Sequence, residues 1–145
     1  RFRVRPVDRA GNVGAWVTGP KFELTRFQES SGRITYSGSW RTATSTSFWG
    51  GAARRSSAAG AKASITFSGR SAAWVSAVGP NRGKAAVYVN GNRVATIDLY
   101  AKTTATRRVV WAANWSTSAS RRITIKVLGT AGRPRVDIDA IITSN

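Results

Sequence analysis

Two carboxylates near the end of the sequence have a spacing that glycoside hydrolysis could use. Asp137 and Asp139 stand two positions apart in the run VDIDAII, residues 136–142, whose composition is typical of a strand. Alternate strand residues project from one face about 7 Å apart, and paired glycosidase carboxylates lie roughly 5–10 Å apart. No insertion that would build a cleft accompanies the pair, so we interpret it as structural and expect no enzyme.

Tryptophans are the second group with chemical potential, because an indole face stacks on the apolar face of a sugar. Trp49 and Trp115 have Gly or Ser neighbours, which is typical of loops. They are the best candidates for exposed stacking platforms, and the alternative is that each closes the open end of a sandwich. Trp74 and Trp111 fall in the middle of predicted strands and are expected in the core.

Composition excludes several classes of site. The 145 residues contain no Cys, His or Met, which removes Ser-His-Asp catalysis and most zinc chemistry and leaves only hard, oxygen-bound ions. Twenty-three Lys and Arg against six Asp and Glu give a net charge of +17. Such a surface attracts polyanions or simply serves solubility. We expect a glycan or other extracellular polyanion as partner rather than nucleic acid.

No stretch of the sequence is apolar enough to predict a membrane span. The first residues resemble the middle of a strand, and neither an initiator Met nor a signal peptide opens the chain. We therefore expect a piece of a longer protein, placed outside the cell or on its surface.

The elements that would position these residues are strands. The strongest signal is Asn90-Gly91, because a type I′ hairpin turn needs positive φ at both central residues. A two-residue loop would place Val87 opposite Val94 and Tyr88 opposite Arg93.

Further strands are predicted from period-two patterns and turn residues, and no helical stripe appears. About eight strands in about 120 residues indicate an all-β fold, a two-sheet antiparallel β-sandwich or jelly roll. Loops are expected at residues 79–83 and 114–120, and residues 41–60 are expected to form a long loop region that includes one strand around 52–57. The other predicted strands are 34–36, 61–69, 71–78, 84–89, 93–99, 107–113, 121–128 and 136–142.

Residues 1–24 stand apart from this pattern. The run FRVRPVDRAGNVGAW begins with alternating polar and apolar residues, continues through a predicted turn and ends at a second predicted strand. It resembles the closing strands of a fibronectin type III or immunoglobulin-like repeat. The resemblance implies that residues 1–24 are the tail of such a repeat plus a linker, and that residues 25–145 are one sandwich domain. Neighbouring domains of the same chain would then be partners.

The order of signals in residues 28–142 resembles the galactose-binding-like jelly rolls, which serve as accessory domains of secreted actinobacterial proteins. The motifs that carry the resemblance are YSGSW (36–40), WGG (49–51), GA (60–61), FSG (67–69), VYVNG (87–91), DLY (98–100) and VDID (136–139).

This resemblance implies a calcium site near the chain ends. In carbohydrate-binding relatives an early acidic residue and a late Asp hold the ion, and Glu29 and Asp139 stand at the matching places. The alternative for Asp139 is a buried carboxylate that accepts backbone N–H bonds.

The resemblance also implies a sugar site at one end of the sandwich. The matching positions are Trp49, Asn81 and Arg82 in the loop 79–83, and Asp137. Sugar-binding sites combine an aromatic face with short polar groups beside it, and these positions would supply both. Trp115 is a weaker further candidate.

The leading hypothesis is a non-catalytic carbohydrate-binding accessory domain of a secreted or cell-surface protein. It would bind cell-wall or extracellular glycan, with acidic glycans favoured by the charge. Two alternatives stay open: a structural or adhesive spacer in a string of domains, and a polyanion binder that acts by charge alone.

Overall fold

The computed structural model of the chain describes residues 1, 3–19 and 21–145. Phe2, in the first predicted strand, and Pro20, which with Gly19 is predicted to end the second, lie outside the described residues. Within that part of the chain, no helix has the length and apolar composition needed to cross a membrane. The elements in chain order are β1 (Arg3–Val4), β2 (Val17–Thr18), β3 (Leu24–Gln28), β4 (Ile34–Ser37), β5 (Arg41–Thr44), a 3-10 helix (Trp49–Gly51), β6 (Ala52–Ser56), β7 (Lys62–Val78), β8 (Lys84–Val89), β9 (Asn92–Asp98), β10 (Ala105–Val127), β11 (Val136–Ile138) and β12 (Ala140–Ser144).

Strands β3 to β12 form two antiparallel sheets. The large sheet has the order β3-β12-β7-β10-β8-β9, with β4 also paired to β7, and the small sheet has the order β11-β6-β5. Trp74 and Ile125 of the large sheet and Ile138 of the small sheet belong to one buried apolar cluster. The predicted all-β, two-sheet antiparallel sandwich is confirmed.

The N-terminal strands form a separate two-stranded ribbon. Val4 pairs with Val17 in β1 and β2, and both side chains, like that of Trp16, are more than half exposed. The ribbon therefore buries little of its apolar surface. The assignment of residues 1–24 to the tail of a preceding repeat stays a prediction.

Two long strands replace four predicted ones. Gly69 lies inside β7 and does not end it; a Cβ there would stand 2.2 Å from the carbonyl oxygen of Ser144, so the position needs glycine for the close passage of β12. Strand β10 likewise runs through residues 114–120, where a loop was predicted. Between the pairs Asn114–Ser71 and Ala119–Gly69 its register shifts, and Trp115 lies in this bulge.

The core confirms one tryptophan prediction fully and the other in part. Trp74 is completely buried, and its Nε1 donates a hydrogen bond to the carbonyl oxygen of Asp137 at 3.2 Å. Trp111, which faces Trp74 in the strand pairing, is only half-buried. Trp111 packs against the core without being enclosed by it, because β10 passes close to solvent at this point and Val109 is exposed too. The expectation that it lies in the core is confirmed only in part.

The β8–β9 hairpin has the predicted turn and a different register. Asn90 and Gly91 have φ of 49° and 83°, which is the type I′ geometry, and Tyr88 faces Arg93. Val87, however, faces Ala95 rather than Val94. A bulge at Val94 causes the shift and turns that side chain to solvent.

Candidate functional site

A buried ion-pair cluster joins the loop 79–83 to β11. Arg82 donates from Nε to Oδ2 of Asp137 at 3.0 Å, and Arg135 donates from Nε and Nη2 to Oδ1 at 2.9 and 2.6 Å. Asp137 is fully buried and Arg82 is only 6% exposed. Asn81, which is exposed, accepts a bond from Nη1 of Arg82 on its amide oxygen. The structure thus brings three of the predicted site residues together, with the Asp137 carboxylate turned inward.

Above this cluster lies an open groove of about 400 Å³, which we call the end groove. Three guanidiniums and five hydroxyl side chains surround it, and no carboxylate lines it. The residues that line it are Ala43, Thr44, Ser45, Ser47, Phe48, Arg55, Arg82, Thr104, Thr106 and Arg135. Guanidinium and hydroxyl groups can bind the hydroxyl and acidic groups of a sugar.

Strand pairing determines which face of the small sheet carries the arginine side chains near the end groove. Arg55 in β6 lies directly across from Asp137 in β11 and from Arg41 in β5. Residues directly opposite each other in antiparallel strands project from the same face of a sheet. Arg55 and Arg41 therefore project from the same face of the small sheet as Asp137. Arg55 also lines the groove, as does Arg135, which binds Asp137.

The rim of the end groove is fixed by Arg107. Its Nη2 donates to the carbonyl oxygens of Thr46 and Phe48 at 2.9 and 3.2 Å, while Phe48 itself is buried. The backbone of Arg107 has a φ of 56°, in the left-handed region that costs most residues about 1 kcal/mol or more. This conformation lies at an irregular point of β10, between the pairs made by Ala105 and Arg108.

Trp49 follows Phe48, which lines the end groove, but does not line the groove itself. Its backbone N–H donates to the carboxylate of Asp139 at 3.1 and 3.3 Å, and the guanidinium of Arg26 lies 5.2 Å from its ring centroid. The side chain is half-buried. One face of the indole therefore stacks on a cation, and its role in sugar binding stays a prediction.

Trp115 lies away from the other predicted residues. Its ring contacts Phe67 and carries the guanidinium of Arg121 at 4.4 Å, and it packs against the core. Ser71, which pairs with the residue before Trp115, is six positions from Ala77 of β7, or about 20 Å, and Ala77 packs with the groove residue Phe48. The expectation that Trp115 lies in a loop is wrong, because the bulge of β10 carries it and packs its ring against the sheet. Its part in glycan binding stays a prediction.

Glu29 and Asp139, the predicted calcium ligands, are both buried. Burial raises the pKa of Asp139 to about 6, and the negative charge of Glu29 adds to the rise while the N–H of Trp49 opposes it. The Oε1 atom of the neighbouring Gln28 is buried without a hydrogen-bond partner.

Calcium takes six to eight oxygen ligands, and these side chains supply few of them. No group of three or more His, Cys, Asp or Glu that could hold a metal ion exists among the described residues. The donor set is therefore short for calcium, and an ion at Glu29 and Asp139 stays a prediction.

Sequence reasoning missed a second groove, on the solvent face of the large sheet. This sheet-face groove, about 480 Å³, is lined by Lys62, Ser64, Tyr88, Gly91, Arg122, Thr124 and Lys126. A bond of 2.8 Å between the hydroxyls of Ser64 and Thr124 joins β7 and β10 beneath it. The sequence does contain a pattern that indicates this groove. In β10, Arg122, Thr124 and Lys126 alternate with buried isoleucines, so these three polar side chains project together from the solvent face.

No protein-family model matches this chain, and no curated protein sequence does. Solved structures resemble it at low identity. A family two carbohydrate esterase from Cellvibrio japonicus superposes with a TM-score of 0.63 at 16% identity, over 86% of this chain and 34% of that one. An exo-β-1,3-galactanase from Phanerochaete chrysosporium gives 0.55 at 18%, over 89% and 30%.

A third solved structure matches over nearly its whole length. The CBM36-1 domain of a multidomain xylanase from the hindgut metagenome of Trinervitermes trinervoides gives a TM-score of 0.57 at 17% identity, over 83% of this chain and 95% of that one. This chain spans about a third of the esterase and nearly all of the CBM36-1 domain. At these identities the likeness shows a shared β-sandwich fold, of the kind found in carbohydrate-active proteins.

Proposed function

We propose that this chain is a non-catalytic carbohydrate-binding domain of a secreted or cell-surface protein, and that the glycan lies in the end groove. The observation that carries the proposal is the groove itself, where hydroxyl and guanidinium groups converge in an open space of about 400 Å³. Sites for small ligands typically have this order of volume. The whole-length likeness to a CBM36 domain supports the same conclusion.

The groove lacks the groups that hydrolysis would need. No Asp or Glu is among its lining residues, and the nearest carboxylate, that of Asp137, is fully buried and bound to Arg82 and Arg135. General acid and base work on a glycosidic bond uses two accessible carboxyl groups. A binding role therefore suits the groove better than a catalytic one.

The predicted residues have different parts in this proposal. Arg82 lines the groove and Asp137 holds Arg82 in place. Asn81 and Trp49, the sequence neighbours of the lining residues Arg82 and Phe48, would supply an amide and a partly exposed indole. Because the aromatic contact is limited, affinity for a single glycan chain is expected in the micromolar to millimolar range.

A glycan array with two matched double variants tests the proposal. Thr44→Val with Thr106→Val removes two groove hydroxyls without changing side-chain volume, and binding is expected to fall about tenfold for the loss of two hydrogen bonds. Thr25→Val with Thr117→Val makes the same change at exposed positions outside the groove and should bind as the parent does. An array with no bound glycan, or equal losses in both variants, would contradict the proposal.

The sheet-face groove favours a second candidate, binding of a polyanion by charge. Lys62, Arg122 and Lys126 line it and no acidic residue does. Counterion release makes such binding steeply salt-dependent. Heparin binding that disappears at about 0.5 M salt and is lost in Lys62→Gln with Lys126→Gln would select this function over glycan recognition in the end groove.

A further inference from the structure

The end groove holds more positive charge than its surroundings neutralise. Arg55, Arg82 and Arg135 line it, and the acidic side chain that touches them, Asp137, carries a single negative charge shared by two of the three. Arg55 takes part in none of the ion pairs among the described residues. Counting these four groups, the site has a surplus of two positive charges.

The guanidiniums also keep donors free for a ligand. Each has five N–H donors, and Asp137 and Asn81 occupy only part of those on Arg82 and Arg135. Because Asp137 holds both side chains in place, they lose little conformational freedom when a ligand binds. Partly buried, pre-oriented guanidiniums are the groups that bind planar or tetrahedral oxyanions with two parallel bonds.

From this charge surplus, with Arg135 held by Asp137 and Arg55 placed across from Asp137 by strand pairing, we propose that the end groove selects acidic sugars, binding a carboxylate or sulfate group of the glycan between Arg55 and Arg135. The inference rests on the proposed carbohydrate-binding function and adds the ligand class. The hydroxyl side chains of the rim, such as Thr44, Ser47 and Thr106, bind the ring hydroxyls. The site therefore recognises an acidic group together with the sugar ring that carries it, and not negative charge alone.

Matched ligands separate the charge from the sugar. Calorimetric titrations compare trigalacturonic acid with its methyl ester, which keeps the ring hydroxyls and loses the charge, and a sulfated oligosaccharide with its desulfated form, at physiological salt. We expect the acidic member of at least one pair to bind about tenfold more tightly, as expected of charge-assisted hydrogen bonds. The pair that shows the difference identifies the anion as carboxylate or sulfate.

Matched variants locate the effect. Arg55→Gln is expected to lower affinity for the acidic ligand about tenfold and to leave the neutral ligand unchanged. Arg55→Lys keeps the charge but loses the two parallel bonds of a guanidinium, so its affinity is expected to fall between those of the parent and Arg55→Gln. Arg70→Gln makes the same charge change at an exposed position of β7 outside the groove and should bind as the parent does. Melting curves show that each variant is folded.

The outcomes distinguish the inference from the function beneath it. Equal affinity for the acidic and neutral members of both pairs would overturn acid selection and leave carbohydrate binding intact. An equal loss in Arg55→Gln and Arg70→Gln would also overturn it, since net charge would then explain the affinity. Failure to bind any glycan, neutral or acidic, would instead refute the proposed function.

Discussion

The Nε atom of Arg82 lies 3.0 Å from Oδ2 of Asp137, and both side chains are almost wholly removed from solvent. Arg135 holds the other carboxylate oxygen, so one buried anion serves two cations that come from different segments. Burying a carboxylate costs it the free energy of hydration, and without cationic partners nothing in the folded protein would offset that cost. This cluster therefore fixes the loop 79–83 against β11 and sets the floor of the end groove.

Removing the shared anion should cost more than removing one of its cations. Asp137→Asn leaves two guanidiniums facing a neutral group, and we expect a loss of about 3–5 kcal/mol in the free energy of unfolding. Arg82→Met keeps the volume of the side chain and leaves Asp137 paired with Arg135, so its loss should be smaller. Urea denaturation of the two variants measures the difference, and an equal or greater loss in Arg82→Met would contradict the shared-anion arrangement.

The large sheet was more predictable than the small one, and the reason is visible in particular residues. Strand β10 alternates Ile123 and Ile125 with polar residues, which fixes its buried face from sequence alone. Strand β5, with the sequence RTAT, has no apolar alternation and was predicted as loop, because its place depends on pairing with β6.

The candidate site was only partly predictable for a related reason. Residue types and family resemblance pointed to Arg82 and Asp137, yet nothing local showed that they bind each other 55 positions apart in sequence. This long-range ion pair leaves Asp137 buried against Arg82, and contact of Asp137 with a ligand stays a prediction. Arg55 adds its positive charge to the groove because the register of β6 with β11 places it opposite Asp137. That register could not be predicted from the sequence.

The left-handed backbone of Arg107 predicts an unusual order of stability between two variants. Arg107→Ala and Arg107→Gly both lose the bonds to Thr46 and Phe48. Glycine adopts positive φ without steric cost, so Arg107→Gly should be more stable than Arg107→Ala by about 1 kcal/mol, the reverse of the usual preference in strands. Thermal unfolding compares them, and a glycine variant no more stable than the alanine one would argue against strain at this residue.

The different burial of the two facing tryptophans predicts unequal costs of truncation. Trp74 is completely enclosed, so Trp74→Ala should lower the free energy of unfolding by about 3–5 kcal/mol through the cavity it leaves. Trp111 is half-buried, and Trp111→Ala should cost roughly half as much because solvent can fill part of the space. Equal costs, measured by chemical denaturation with an unchanged m value, would contradict the assigned exposure of Trp111.

Asp139 should make the domain less stable as the pH rises. Burial raises its pKa to about 6 in the folded state, from an ordinary value of 3.8. Below both values the carboxyl is protonated in either state. Between them the folded protein holds a proton that the unfolded chain has released, so unfolding becomes easier with increasing pH. The loss should approach about 2–3 kcal/mol by pH 7, at 1.36 kcal/mol per pKa unit.

Comparison with Asp139→Asn isolates this contribution, because the amide does not titrate. In buffer containing EDTA, the unfolding free energy of the parent minus that of Asp139→Asn should fall between pH 4 and pH 7. Asp98→Asn provides the matched control: a hydrogen bond from Arg133 lowers the pKa of Asp98, so its stabilisation is lost only as the pH falls below the usual range and the corresponding difference should not fall over the same interval. A flat difference for Asp139 would show that its carboxyl is solvated or bound more strongly than its contacts with Trp49 indicate.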